Sequence, residues 1–134
     1  MISTISGVSP MTTILVVDDV ESECAVMTRI LEDEGWTVEQ ASDGDEAIAQ
    51  IQNAQPDLVV LDVIMPRMNG FEVIRELRAN PKTQQLPVVF CSQKNTEIDR
   101  SWGNDLGADA YLGKPFEAQQ LVQIIQRLLS DSHS

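Results

Sequence analysis

The first half of this 134-residue sequence is almost without positive charge. Through Pro66 it carries 13 acids and a single base, Arg29, whereas from Arg67 onward 8 acids meet 8 bases. The whole formal charge of −12 therefore falls on the first half, which argues against nucleic acid or an anionic membrane as a partner and for a local acidic site or docking face. No apolar run approaches the ~20 residues needed to span a bilayer. The lack of any Lys or Arg ahead of Arg29 removes the charged segment that opens a secretory signal. Cysteine is scarce too. Cys24 and Cys91 lie in apolar surroundings with neither metal-ligand spacing nor a neighbouring His, so two buried free thiols in a reducing cytoplasm are expected. Repeats and linkers are missing as well, which leaves one domain, and 43% hydrophobic residues are enough to build its core.

What is present is alternation. Ile14–Val17, Leu58–Leu61 and Val88–Cys91 are unbroken apolar, largely β-branched runs of the kind that suit parallel strands covered on both faces. Trp36–Ala41 mixes polar and apolar positions, as an edge strand does, and Ala110–Leu112 makes a short fifth strand after the turn at Gly107. Between them the spacing predicts helices: Val20, Cys24, Met27 and Leu31 form one stripe closed by Gly35, and Ala47, Ile48 and Ile51 a second ending before Pro56. Phe71, Ile74 and Leu77 mark a third ending near Asn80-Pro81. Ile98–Leu106 is a weaker fourth, interrupted by Gly103, and Leu121, Ile124, Ile125, Leu128 and Leu129 make the fifth. Five strand–helix pairs predict an α/β fold, a doubly wound five-stranded parallel sheet of order 2-1-3-4-5. Residues 1–12 read as a flexible tail, 13–130 as the domain and 131–134 as a second tail. A start at Met11 would still leave the domain complete, and nothing after the fifth helix suggests an output module.

In such a sheet ligands bind beyond the carboxyl ends of the strands, where the strand order reverses. Asp18 and Asp19 end the first strand and Asp62 the third. Three carboxylates crowd together only at a cost in repulsion, which a hard, oxygen-loving cation such as Mg²⁺ relieves. Asp18 or Asp19 could alternatively cap the first helix, but a cap explains one acid and leaves the others unexplained. Ser92 and Lys114 follow the fourth and fifth strands to the same rim, adding a hydroxyl and an ammonium able to bond phosphoryl oxygens. Asp62 then becomes the nucleophile and an aspartyl phosphate the product.

At this point the sequence resembles the response-regulator receiver domains of two-component signalling, typified by CheY, from about Thr13 to Leu129. The resemblance rests on I-L-V-V-D-D at Ile14–Asp19, L-V-V-L-D-V-I-M-P-R-M-N-G at Leu58–Gly70 and G-A-D-A-Y-L-G-K-P-F at Gly107–Phe116. It implies Asp62 as phosphoacceptor, with Asp19, Asp62 and the backbone carbonyl of Ile64 as Mg²⁺ ligands and Asp18 acting through a bound water. It makes Ser92 the switch hydroxyl, Tyr111 the switch aromatic and Lys114 the phosphate-contacting lysine, with a cis Lys114–Pro115 bond. A histidine kinase or phosphotransfer domain would supply the phosphoryl group. A separate output protein, or a second copy in a homodimer, would read the face formed by helix 4, strand 5 and helix 5. Glu97–Gly103 with Trp102 further resembles the single-domain, PilH-like receivers of pilus motility and phototaxis. Trp102 is either a partly buried helix residue or a partner contact.

Three positions depart from the family pattern. Gln93 stands where a small residue is common and bears on the width of the phosphoryl entrance. Ile64 cannot orient an attacking water, and Lys94 is expected either to attract the phosphoryl group or to block access, so slow self-dephosphorylation is expected. The rival readings are a phosphorylation-independent scaffold, a flavodoxin-like cofactor binder and an aspartyl-phosphate phosphatase. The loop Asp18-Asp19-Val20-Glu21-Ser22 would repel a bare phosphate where a flavodoxin-like site needs a Ser/Thr/Gly-rich cradle. The phosphatase needs a second acid where Ile64 stands.

Overall fold

The computed structural model describes residues 12–132; of the expected tails at 1–12 and 131–134, residues 1–11 and 133–134 lie outside the described residues. Five strands and five helices alternate along the chain: β1 (Thr13–Val17), α1 (Glu21–Asp33), β2 (Thr37–Ala41), α2 (Gly44–Asn53), β3 (Leu58–Leu61), α3 (Gly70–Ala79), β4 (Val88–Ser92), α4 (Glu97–Leu106), β5 (Ala110–Gly113) and α5 (Ala118–Ser132). All neighbouring strands are parallel and the order is β2-β1-β3-β4-β5, as the patterning predicts. Because successive side chains on a strand point to opposite faces, the continuous apolar runs feed two cores. Leu15, Val17, Val59, Leu61, Val88 and Phe90 face α2 and α3, while Ile14, Val16, Leu58, Val60, Val89 and Cys91 face α1 and α5. The mixed strand β2 is the exposed edge, and Trp36, just ahead of it, is buried in the α1–α5 core. Among the described residues no helix is long and apolar enough to cross a membrane.

Three details differ from the patterning. Val20 is 42% exposed and stands at the N-cap position, so the buried stripe of α1 begins at Cys24. Gly103 does not interrupt α4, which runs unbroken; it is small because the Tyr111 ring lies 2.9 Å and the Phe90 ring 3.1 Å from where a Cβ would stand. The helix stops instead at Gly107, in the left-handed region at φ 104°, whose neighbour Ala108 donates back to the Gly103 carbonyl at 2.9 Å. Finally, α5 continues through Ser132, past the expected end of the domain at 130.

Arg78 ties three segments together at the rim of the sheet opposite the strand ends that carry Asp18 and Asp62. Its guanidinium donates to the carbonyls of Gly107 (2.8 Å), Leu86 (2.7 Å) and Thr83 (3.2 Å) and pairs with Asp109 at 3.2 Å. Asp109 in turn accepts from the Val88 amide at 2.8 Å, where β4 begins. Arg78→Ala strands several partly buried carbonyls at once, and each unsatisfied group carries a desolvation penalty. A loss of about 3 kcal/mol in urea unfolding is therefore expected, with the strand-end site still formed.

Candidate functional site

The sheet itself delivers the chemistry-bearing residues to one rim. Val17 is in register with Leu61, and the pairing continues one residue further: the Asp62 amide donates to the Val17 carbonyl at 3.0 Å and the Asp18 amide to the Ala41 carbonyl at 3.1 Å. On the other side Ser92 is in register with Gly113, and the Lys114 amide donates to the Ser92 carbonyl at 3.0 Å. The Lys114–Pro115 bond is cis, as expected.

At the centre lies the Lys114 ammonium. Its Nζ donates to Asp18 Oδ2 at 2.7 Å, to Asp62 Oδ2 at 3.1 Å and to Glu23 Oε1 at 2.5 Å, so three acceptors take its three protons. Each aspartate is also anchored by the amide two residues on: Asp18 Oδ1 accepts from Val20 N at 2.9 Å, and Asp62 Oδ1 from Ile64 N at 3.1 Å. Neither Asp18 nor Asp19 caps α1, which has no side-chain cap. Burial pushes the Asp18 carboxyl above its ordinary 3.8, against the pull of Lys114. Burial works against the charge on Lys114 as well, but its hydrogen bonds to the carboxylates outweigh it and hold the amine above its usual range.

The oxygens of Asp18, Glu23 and Asp62 lie within 4.8 Å of one another, an all-carboxylate donor set of the hardness Mg²⁺ prefers. Asp19 stands outside this trio. It is exposed and, with Asp18, lines a cavity of about 310 Å³ between α1 and the start of α2. Glu23 is the member that sequence reasoning missed. It sits in the first turn of α1, where acids are ordinary partners of the helix dipole, and no motif marks it.

The switch positions are linked through one residue. Ser92 is fully buried, and its Oγ accepts from the Lys94 amide at 3.1 Å. The Tyr111 hydroxyl donates to the carbonyl of the same Lys94, while its ring lies against Phe90 with centroids 5.5 Å apart. Burial pushes the Tyr111 phenol up to about 12, so it remains a donor at neutral pH. The Lys94 ammonium pairs with Asp99 at 3.0 Å, in the first turn of α4. That pairing, aided by bonds from Thr96, holds the Asp99 carboxyl below its ordinary range. Gln93 lines a groove of about 560 Å³ that runs from Lys114 and Glu23 along α1 to Val26. Trp102 is 60% exposed, with one edge against the Phe71 ring, centroids 5.8 Å apart. Cys24 and Cys91 are free and buried, and burial raises both thiols, Cys91 to about 12, as inert thiols require.

Residues 14–126 match the response regulator receiver domain family. The chain belongs to that family. PilH of Pseudomonas aeruginosa is 36% identical over 120 residues, which cover 90% of this chain and 99% of that protein. The transcriptional regulatory protein CpxR of Klebsiella pneumoniae is 41% identical over 123 residues, 92% of this chain, but the chain spans only about half of its length, 51%. Among solved structures, the Vibrio cholerae chemotaxis protein CheY4 superposes with a TM-score of 0.83 at 34% identity, covering 88% of this chain and 98% of that one. The NtrX receiver domain from Brucella abortus gives 0.82 at 33% identity, covering 87% and 98%. The fold is thus the CheY-like form of the flavodoxin topology. Receiver domains are signalling switches of two-component systems, working with histidine kinases and output domains, and typically bind Mg²⁺.

Proposed function

We propose that this receiver takes a phosphoryl group onto Asp62 from a phosphohistidine of a histidine kinase or phosphotransfer domain and relays the change to a separate protein. The observation that carries this reading is the convergence of Lys114 on Asp62 and Asp18 at one rim of the sheet. An Asp62 carboxylate oxygen attacks phosphorus, the P–N bond breaks, and its electron pair stays with the imidazole. Lys114, held charged, meets the negative charge on the transferred oxygens. Asp19, Asp62 and the Ile64 carbonyl would hold Mg²⁺, with Asp18 acting through a water; the bound ion would supply further neutralisation of the phosphoryl oxygens.

The new group adds a charge of about −1.5 to −2 and fresh acceptors. Ser92 turning its hydroxyl toward it releases the Lys94 amide, and Lys94 carries the acceptor for Tyr111. A movement of this loop therefore reaches the α4–β5–α5 face, where an output protein or a second copy would dock. Ile64, 54% exposed and apolar, supports a phospho-form that outlives seconds without a phosphatase. The match along 99% of PilH supports a receiver that acts on a separate protein, and the PilH-like resemblance of Glu97–Gly103 extends that reading to motility or phototaxis in the cytoplasm. The test is Mg²⁺-dependent binding of beryllofluoride, a phosphoryl mimic, followed by amide NMR. Shifts at Asp62, Ser92, Tyr111 and along α4 are expected, and no binding at all would favour a phosphorylation-independent scaffold.

A further inference from the structure

The three carboxylates around Lys114 are not equivalent. Asp18 and Asp62 are each pinned by a backbone amide, at 2.9 and 3.1 Å, and their side chains are 0% and 8% exposed. Glu23 reaches in from α1, is 37% exposed, and its hydrogen bond in the structure runs to Lys114, the shortest of the three. It belongs to no strand end, and it lines the groove that leads from solvent to Lys114.

An ammonium with all three protons given to carboxylates has none left for an arriving phosphoryl group. Asp18 can lose Lys114 and keep its amide, and Asp62 becomes the phosphorylated group itself. Glu23 alone is left without its partner and, unless it swings out to water, with its charge facing the incoming anion. We propose that Glu23 is a positioning residue that takes up a Lys114 proton the phosphoryl group would need, and so sets how readily the pocket accepts an anionic phosphoryl group. The proposal rests on Asp62 being the acceptor.

Glu23→Gln keeps the size of the side chain and removes its charge; Glu21→Gln makes the same charge change one half-turn away, at a residue that has no bond to Lys114 and borders the other cavity. The full chain is titrated with beryllofluoride at saturating Mg²⁺, and exchange of the Lys114 ammonium protons with water is followed by NMR. Because the tether is partly solvated, Glu23→Gln is expected to lower the half-saturating beryllofluoride concentration by about three- to tenfold. It should also speed Lys114 proton exchange, while Glu21→Gln changes either by less than about twofold. Unchanged or weaker beryllofluoride binding in Glu23→Gln, unchanged Lys114 exchange, or an equal gain in Glu21→Gln overturns the tether. Failure of the unsubstituted chain and both variants to bind the mimic overturns the acceptor reading of Asp62, and the tether's role with it.

Discussion

Replacing Asp62 by asparagine is expected to abolish incorporation of acid-stable, base-labile phosphate while leaving the domain folded. The amide is nearly the shape of the carboxylate and can keep an oxygen facing the Ile64 amide, but it has no anionic oxygen with which to form an acyl phosphate. Lys114 retains Asp18 and Glu23, and one source of like-charge repulsion on Asp18 disappears. Stability in urea should therefore move by no more than about 1 kcal/mol in either direction. Radiolabelled transfer from a phosphorylated kinase, with stoichiometry read before and after base treatment, checks both halves. Full labelling of the variant would mean that another side chain takes the phosphoryl group.

Lys114→Met should have two effects that pull apart in the presence of metal. The first is kinetic: losing a fixed positive donor aimed at developing charge costs on the order of 10²- to 10³-fold in phosphoryl uptake. The second is thermodynamic. Without the ammonium, Asp18, Glu23 and Asp62 are left facing one another, and removing one member of a buried ionic cluster costs about 3 kcal/mol. Mg²⁺ should return part of that loss, because the ammonium no longer holds the Asp62 carboxylate that the ion would share, and a tenfold tighter site adds about 1.4 kcal/mol at saturation. Denaturant melts of both proteins with and without Mg²⁺ decide this. Equal stabilisation by the ion in both would show that Lys114 does not stand in the cation's place.

The strands were legible because burial on both faces leaves an unmistakable run of β-branched residues, and the edge strand because half its side chains meet water. The two aspartates and Lys114 were legible for a topological reason: a residue that ends a central strand of such a sheet is carried to the rim whatever its neighbours are. What escaped has no local signature. Glu23 earns its place through a lysine 91 positions away, and Arg78 through carbonyls up to 29 positions away, and neither separation has a period. The partner of Lys94 escaped too, because its distance from Ser92 along the chain says nothing of Asp99, which the first turn of α4 swings into reach. Gly103 looked like a helix breaker because propensity knows nothing of the tyrosine ring stacked beneath it.

Helix α5 begins four residues beyond Lys114 and runs back alongside the sheet for 15 residues, or roughly 22 Å. Thr13, where β1 starts, lies at the same far side, bonded through its amide to Asp57 at the foot of β3. The described chain thus enters and leaves on the side remote from the carboxylates. A fluorescent reporter or an affinity handle joined where the described chain begins or ends would start across the sheet from the carboxylates, which suits this receiver to building artificial circuits.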